Sequence, residues 1–152
     1  MRAKLGLTES RPDDLALIEA ILKLLAAGRV DYPIFWRRLS RLAAGGSPEP
    51  VRDLFIDRAG FDAWCAAWTA RRSEEPQPGD AGTRMLATNP QFILRNHLGE
   101  LAIRAAREGD FSRVRTLMQV LHTPFTDQPG HDADLAGFPP EWAHSIEISC
   151  SS

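Results

Sequence analysis

The sequence predicts an all-α protein: an irregular multi-helix domain with a helical hairpin near residues 90–121 and a proline-rich, irregular C-terminal tail. Three observations carry that expectation. Apolar residues recur at three- and four-residue steps through several long segments. Capping residues, prolines and glycines punctuate those segments at their ends. No stretch of useful length alternates apolar and polar residues as a half-buried strand does, and no repeat of fixed period is present. A length of 152 residues fits one domain with a sizeable core, so 1–152 reads as a single helical domain.

The first helix covers about residues 12–27. Pro12 suits its opening turn, Asp13 and Asp14 stand near the positive end of its dipole, and Gly28 ends it. Ile18, Ile21, Leu22 and Leu25 form its inner stripe, which Leu17 and Leu24 widen enough for two neighbours. Asp31 caps a second helix that reaches about Leu42, with Phe35, Trp36, Leu39 and Leu42 inward and Gly45 and Gly46 as its stop. Ser47 and Pro48 open a short helix through about Phe55. A fourth helix, from Phe61 to Arg72, carries Phe61, Trp64, Cys65 and Trp68 on one side, where aromatic density peaks.

Residues 73–82, SEEPQPGDAG, are polar and rich in proline and glycine, which predicts a loop and a candidate joint between two helical halves. A short turn bearing Met85 and Leu86 leads from it into the hairpin. There Asn89 reads as the cap of a helix whose first position is Pro90, since proline lacks the N–H that has no partner at that place. Leu94, Leu98, Leu101, Ala102 and Ala105 give that helix one apolar face. Gly109 suits the left-handed residue that closes it, and Asp110 caps the next helix, striped by Val114, Leu117, Met118 and Leu121. Beyond Leu121, Pro124, Pro129, Pro139 and Pro140 break the chain too often for long helices. Phe125, Leu135, Phe138 and Trp142 are spaced to pack that tail back onto the body.

A net charge of -2, with 43% apolar and 25% charged residues, is ordinary for a globular protein and gives no field that would draw it to nucleic acid or anionic lipid. No run approaches the ~20 apolar residues that span a bilayer. No signal-peptide core follows Met1, so a cytoplasmic location is expected, with neither nucleic acid nor membrane as a partner. Two cysteines, Cys65 and Cys150, form no disulfide framework and no zinc-type spacing.

Nucleotide chemistry needs a glycine-rich loop, a lysine for the phosphates, and carboxylates or an asparagine for magnesium. The eleven glycines are scattered, while Lys4 and Lys23 read as residues of a mobile start and of a helix surface. His122, His131 and His144, near Asp127, Asp132 and Asp134, form the densest polar cluster, whose irregular spacing favours exposed turn residues over a metal site. A small hydrolase built on them is a weaker reading. His97 reads as a partner of nearby backbone groups. Arg95 and Asn96 could hold a phosphate or a carboxylate, but a bracing role in the hairpin fits them better. Cys65, among Phe61, Trp64 and Trp68, reads as an inert apolar thiol. Cys150, among small polar residues near the chain end, is open to oxidants or to another thiol, and the residues alone leave an incidental and a reactive role equally open.

Several of these stretches carry a resemblance. The run NPQFILRN from Asn89 to Asn96, with Pro90, Leu94 and Arg95 inside it, is joined by the GDF turn at Gly109 and by Gln128–Pro129. PPEWA from Pro139 to Ala143, the closing SCSS, KLGL from Lys4 to Leu7 and DYPIFWRRL from Asp31 to Leu39 complete the set. Together they resemble the C-terminal region of the SelO (YdiU) family of kinase-fold protein adenylyltransferases over essentially the whole chain. The resemblance implies transfer of AMP from ATP to protein hydroxyl side chains with magnesium or manganese, by a catalytic domain upstream of these residues. It implies that this chain holds no cofactor itself and has that upstream kinase-like domain as its partner, with protein substrates reached through it. It also implies a redox role for Cys150, matching a selenocysteine in eukaryotic members and, in bacterial ones, a cysteine that pairs with one in the kinase-like domain. The alternative from another class is a freestanding all-helical interaction module without enzymatic activity.

Overall fold

A computed structural model of the chain describes residues 1–146, the side chains of His144 and Ser145 excepted. Among the described residues there are eight α-helices and no strand, in agreement with the expected class. They are α1 (Asp14–Ala27), α2 (Tyr32–Ala43), α3 (Glu49–Arg52), α4 (Arg58–Ser73), α5 (Ala81–Thr88), α6 (Asn96–Arg107), α7 (Ser112–His122) and α8 (Asp132–Leu135). Single 3-10 turns occupy Arg2–Leu5, Pro78–Asp80 and Glu141–Ser145. The chain divides into two compact units between Pro90 and Gln91, and the segment 73–82 lies inside the first.

In the first unit the caps behave largely as the sequence predicts. The Asp31 side chain accepts the Ile34 N–H at 3.0 Å and starts α2. Gly28 ends α1, although the left-handed residue is Arg29, at φ 47°. Two boundaries differ. Helix α4 begins three residues before Phe61 because the Asp57 side chain accepts the Gly60 N–H at 2.8 Å. Helix α3 stops after one turn, and the chain then delivers Phe55 to the core, where its ring stacks on Phe61 with centroids 4.7 Å apart. The short turn expected around Met85 is the two-turn helix α5, and it crosses the end of α2 closely. A Cβ on Gly82 would lie 2.5 Å from the Ala44 Cα, so only glycine permits that approach.

This unit is built on aromatic rings. Phe35, Trp36, Phe61 and Trp68 are almost fully buried together with Leu5, Ile21, Leu39, Val51 and Met85. Full burial of such side chains stabilises by about 1.5–3 kcal/mol each. Trp64 and Trp68, four residues apart on α4, stack with centroids 5.8 Å apart, and their indole N–H groups donate to Leu17 O at 2.9 Å and Leu5 O at 3.0 Å. The second bond ties the opening turn to the core, which corrects the expectation that Lys4 lies on a mobile start.

The second unit departs from the sequence reading at its beginning. Asn89 is not an N-cap; it closes α5, with φ -103° and ψ 105°, and α6 starts only at Asn96. The extended backbone before proline would suit a cap as well, but the Asn89 amide is engaged by Lys4 and Ser40, and Arg95 takes the position before α6. Residues 90–95 run outside any helix, Gln91 and Phe92 both donate backbone N–H groups to Pro124 O at 2.8 and 3.1 Å, and Phe92 is buried. Leu94, assigned above to an apolar helix face, is 60% exposed. The remainder of the hairpin forms as expected, except that Met118, read as part of the α7 stripe, is 70% exposed. Gly109 adopts φ 86°, Asp110 accepts the Ser112 N–H at 2.8 Å, and Leu98, Ala102 and Leu117 pack together against Val114, Leu121 and Leu135. Of the four tail anchors, Leu135 joins that cluster and Trp142 meets the ring of His97, while Trp142 and Phe125 are each 43% exposed and Phe138 58%.

Candidate functional site

The residues of the NPQFILRN run fall into two separate environments. Asn89 is fully buried in the first unit, and its amide nitrogen donates to Lys4 O at 3.0 Å and Ser40 Oγ at 2.9 Å. Its amide oxygen accepts from Lys4 Nζ at 3.1 Å. Ser40 donates in turn to Trp36 O, and Arg37 donates to Leu86 O at 3.0 Å and Asn89 O at 3.1 Å. The Lys4 ammonium also lies 5.7 Å from the centre of the Trp36 ring and 5.9 Å from that of Tyr32, and burial lowers its pKa. Asn89 thus joins the opening turn, α2 and the end of α5 through one side chain. A lysine held this way spends its charge inside the fold.

Pro90 follows as the residue that enforces the extended exit from α5. Leu94 points to solvent, Arg95 occupies the position before the first turn of α6 with extended backbone, and Asn96 is the exposed first residue of that helix. Asn89 is thus buried in the first unit, while Leu94 and Asn96 are exposed in the second.

Two arrangements in the first unit join residues far apart in the sequence. The first is a buried charge network at one end of α1 and α4. Arg71 pairs with Asp14 and with Glu75, both at 2.7 Å, and donates to Glu9 O at 3.1 Å. Glu75, inside the segment read as a polar loop, is only 4% exposed. Burial alone would raise its pKa, but bonds from the Thr8 hydroxyl, the Thr8 N–H at 2.8 Å, Arg71 and the Glu9 N–H at 3.2 Å outweigh it and hold the group at about 2. Asp14 is lowered as well, its burial being outweighed by its bonds to Arg71 and the Arg11 N–H.

The second is a groove of about 850 Å³ between α1 and α4, with Leu17, Leu24 and Trp64 among its lining and alanines along both sides. In the second unit a cavity of about 540 Å³ is bordered by His97, Arg113, His131, Asp134 and Trp142 among others. His97 is buried there with its ring edge-on to Trp142, centroids 6.1 Å apart. Burial first, and then the charge of Arg95, lower its pKa and favour the neutral imidazole.

Among the described residues no group of three or more His, Cys, Asp or Glu side chains is placed to hold a metal ion, and no helix is long and apolar enough to cross a membrane. His122 and Asp127 are exposed, and His131, Asp132 and Asp134 belong to or adjoin α8. Cys65 is half-buried against the aromatic core, and burial raises its pKa, which leaves little thiolate. Cys150 lies outside the described residues.

Comparison with known proteins gives these features a family. The model of the family described as "Protein adenylyltransferase SelO" matches residues 1–122. The whole chain is 60% identical to a "Protein nucleotidyltransferase YdiU" of Variovorax paradoxus, and it spans 30% of that protein. It is 52% identical to the protein of the same description in Albidiferax ferrireducens, over 31% of its length, and 50% identical to that of Burkholderia multivorans, over 30%. The chain thus spans about a third of the length of the curated relatives it matches. With a family match over four-fifths of its residues and identity sustained from end to end, the chain belongs to the SelO family of protein nucleotidyltransferases.

Proposed function

We propose that these 152 residues are the supporting helical part of a SelO-type protein adenylyltransferase, C-terminal to a kinase-like domain that carries the chemistry. The observation that carries this reading is the 60% identity along the entire chain combined with its 30% share of the relative's length. The activity is transfer of AMP from ATP to hydroxyl side chains of protein substrates, and ATP with magnesium or manganese belongs to the upstream domain. Two features of this chain favour a supporting role. Its glycines form no phosphate-cradling loop, and Lys4 is engaged with Asn89 and two aromatic rings. In this reading the Cys150 thiol is the redox-active group, able to pair with a cysteine of the upstream domain when an external oxidant takes up the two electrons and two protons that the thiols release.

The test is incubation of this chain with labelled ATP, magnesium or manganese and a protein acceptor, beside a full-length SelO protein. Label is expected only with the full-length protein. Incorporation above background by the 152 residues alone overturns the assignment.

A further inference from the structure

The groove between α1 and α4 presents two stripes of the same period. The α1 side contributes the capping Asp13, then Leu17, Ala20, Lys23, Leu24 and Ala27, and the α4 side Gly60, Trp64, Ala67, Ala70 and Arg71, with Glu74 just past its end. Within them Leu17, Ala20, Leu24 and Ala27, and Gly60, Trp64, Ala67 and Arg71, advance by alternating steps of three and four, the spacing at which one helix offers a continuous seam to another. The Arg71–Asp14 pair and the Trp64–Leu17 bond show that the two helices run antiparallel. Leu17 and Leu24, only partly buried, lie among the small residues Ala20, Ala27, Gly60 and Ala67, so a helix could approach closely and cover them, whereas Trp64 is already buried. Helix α1 has 14 residues, which makes the groove about 20 Å long, or close to four turns of an occupant.

We propose that this groove seats a third helix, supplied by the part of the SelO polypeptide outside these 152 residues. The inference rests on the supporting role proposed above and names the place where that support is made. Most of the relatives' length lies outside the matched region, so the same polypeptide has ample chain to fill the groove. A second copy of this chain fits worse. The groove is concave, and two concave faces set against each other leave their floors uncovered. The rim also specifies the occupant. Asp13 lies at one end and Lys23, ten residues along α1, toward the other, roughly 15 Å apart. The helix that fits has an apolar stripe, with a basic residue near Asp13 and an acidic one near Lys23.

The experiment compares Ala67→Glu, in the groove wall, with Ala66→Glu, its exposed neighbour outside the groove lining. Each is made in the 152-residue chain and in the full-length protein that carries it. In the short chain both variants should melt with wild type. In the full-length protein A67E should lower the melting temperature by about 5 °C and A66E should not. Hydroxyl-radical footprinting of the wild-type proteins gives an independent reading, in which labelling of Leu24 falls several-fold from the short chain to the full-length protein. Equal melting of the two full-length variants, or unchanged Leu24 labelling, overturns the proposal. So does a dimer of the short chain that A67E dissociates, because a second copy then occupies the groove. Failure of the supporting role itself would show separately, as AMP transfer by the short chain.

Discussion

The two units solve the problem of cohesion differently. The first gathers rings and aliphatic side chains from α1, α2, α4 and α5 around Trp36 and Trp68, and it locks that core with buried polar groups drawn from positions far apart in sequence. Lys4 meets Asn89 across 85 residues, and Thr8 meets Glu75 across 67. The second relies on neighbours: two helices joined by a tight turn bury Leu98, Ala102 and Leu117 against each other, and one loop carbonyl, that of Pro124, satisfies the extended lead-in. Local contacts cost less loop entropy to form, but a shallow core returns less burial energy. The first unit therefore concentrates its stability in a few residues whose loss is felt throughout, whereas the second spreads a smaller amount over a helical pair.

Substitutions at the two cores measure that difference most directly. Trp68→Ala removes a fully buried ring, its stack on Trp64 and its bond to Leu5 O, and should cost about 4 kcal/mol by denaturant unfolding. Leu117→Ala in the second unit should cost about 2 kcal/mol, since a site at the margin of a small cluster can partly collapse. Equal losses would mean that the second core is as deep as the first.

Acid should discriminate next. The folded-state value of Glu75 lies near 2, against an ordinary value of 4.5, so its ionised form favours the folded state above about pH 4.5. That contribution, about 3 kcal/mol, drains away as the pH falls from 4.5 toward 2. Glu75→Gln should flatten this part of the stability profile, and a variant that keeps the wild-type acid dependence would assign it elsewhere.

An effect no larger than that of Leu117→Ala belongs to Asn89→Ala, which leaves the buried Lys4 O and Ser40 Oγ without their amide partner and should cost about 2 kcal/mol. Amide exchange should quicken in α5 and at the opening turn. If the loss appeared instead at the start of α6, Asn89 would be acting as the cap that local sequence suggests.

Much of this protein is legible in its sequence because the signals are local. The Asp31 cap, the Gly109 turn, the three-four periodicity of α1, α2, α4 and α7, and the aromatic face of α4 each depend on residues within a turn or two of one another. The two polar misreadings share one cause. Asn89–Pro90 is a sound helix start by local rules, yet the asparagine amide is claimed by Ser40 and Lys4, 49 and 85 residues away. Glu75 sits in a stretch with every mark of a solvated loop, and it is buried because Thr8 and Arg71 converge on it. Leu94 keeps helical spacing but lies on a segment that never becomes helix.

The sequence by itself determined the helical class, most element boundaries within a few residues, and membership of a family through motifs spread along the chain. The tertiary structure alone decided which polar side chains are buried, where the chain divides into units, and that α1 and α4 leave an apolar groove between them. The physical reason is range. Periodicity and capping act over a few residues, while desolvation of an amide, a carboxylate or a lysine depends on groups that only the completed fold brings together.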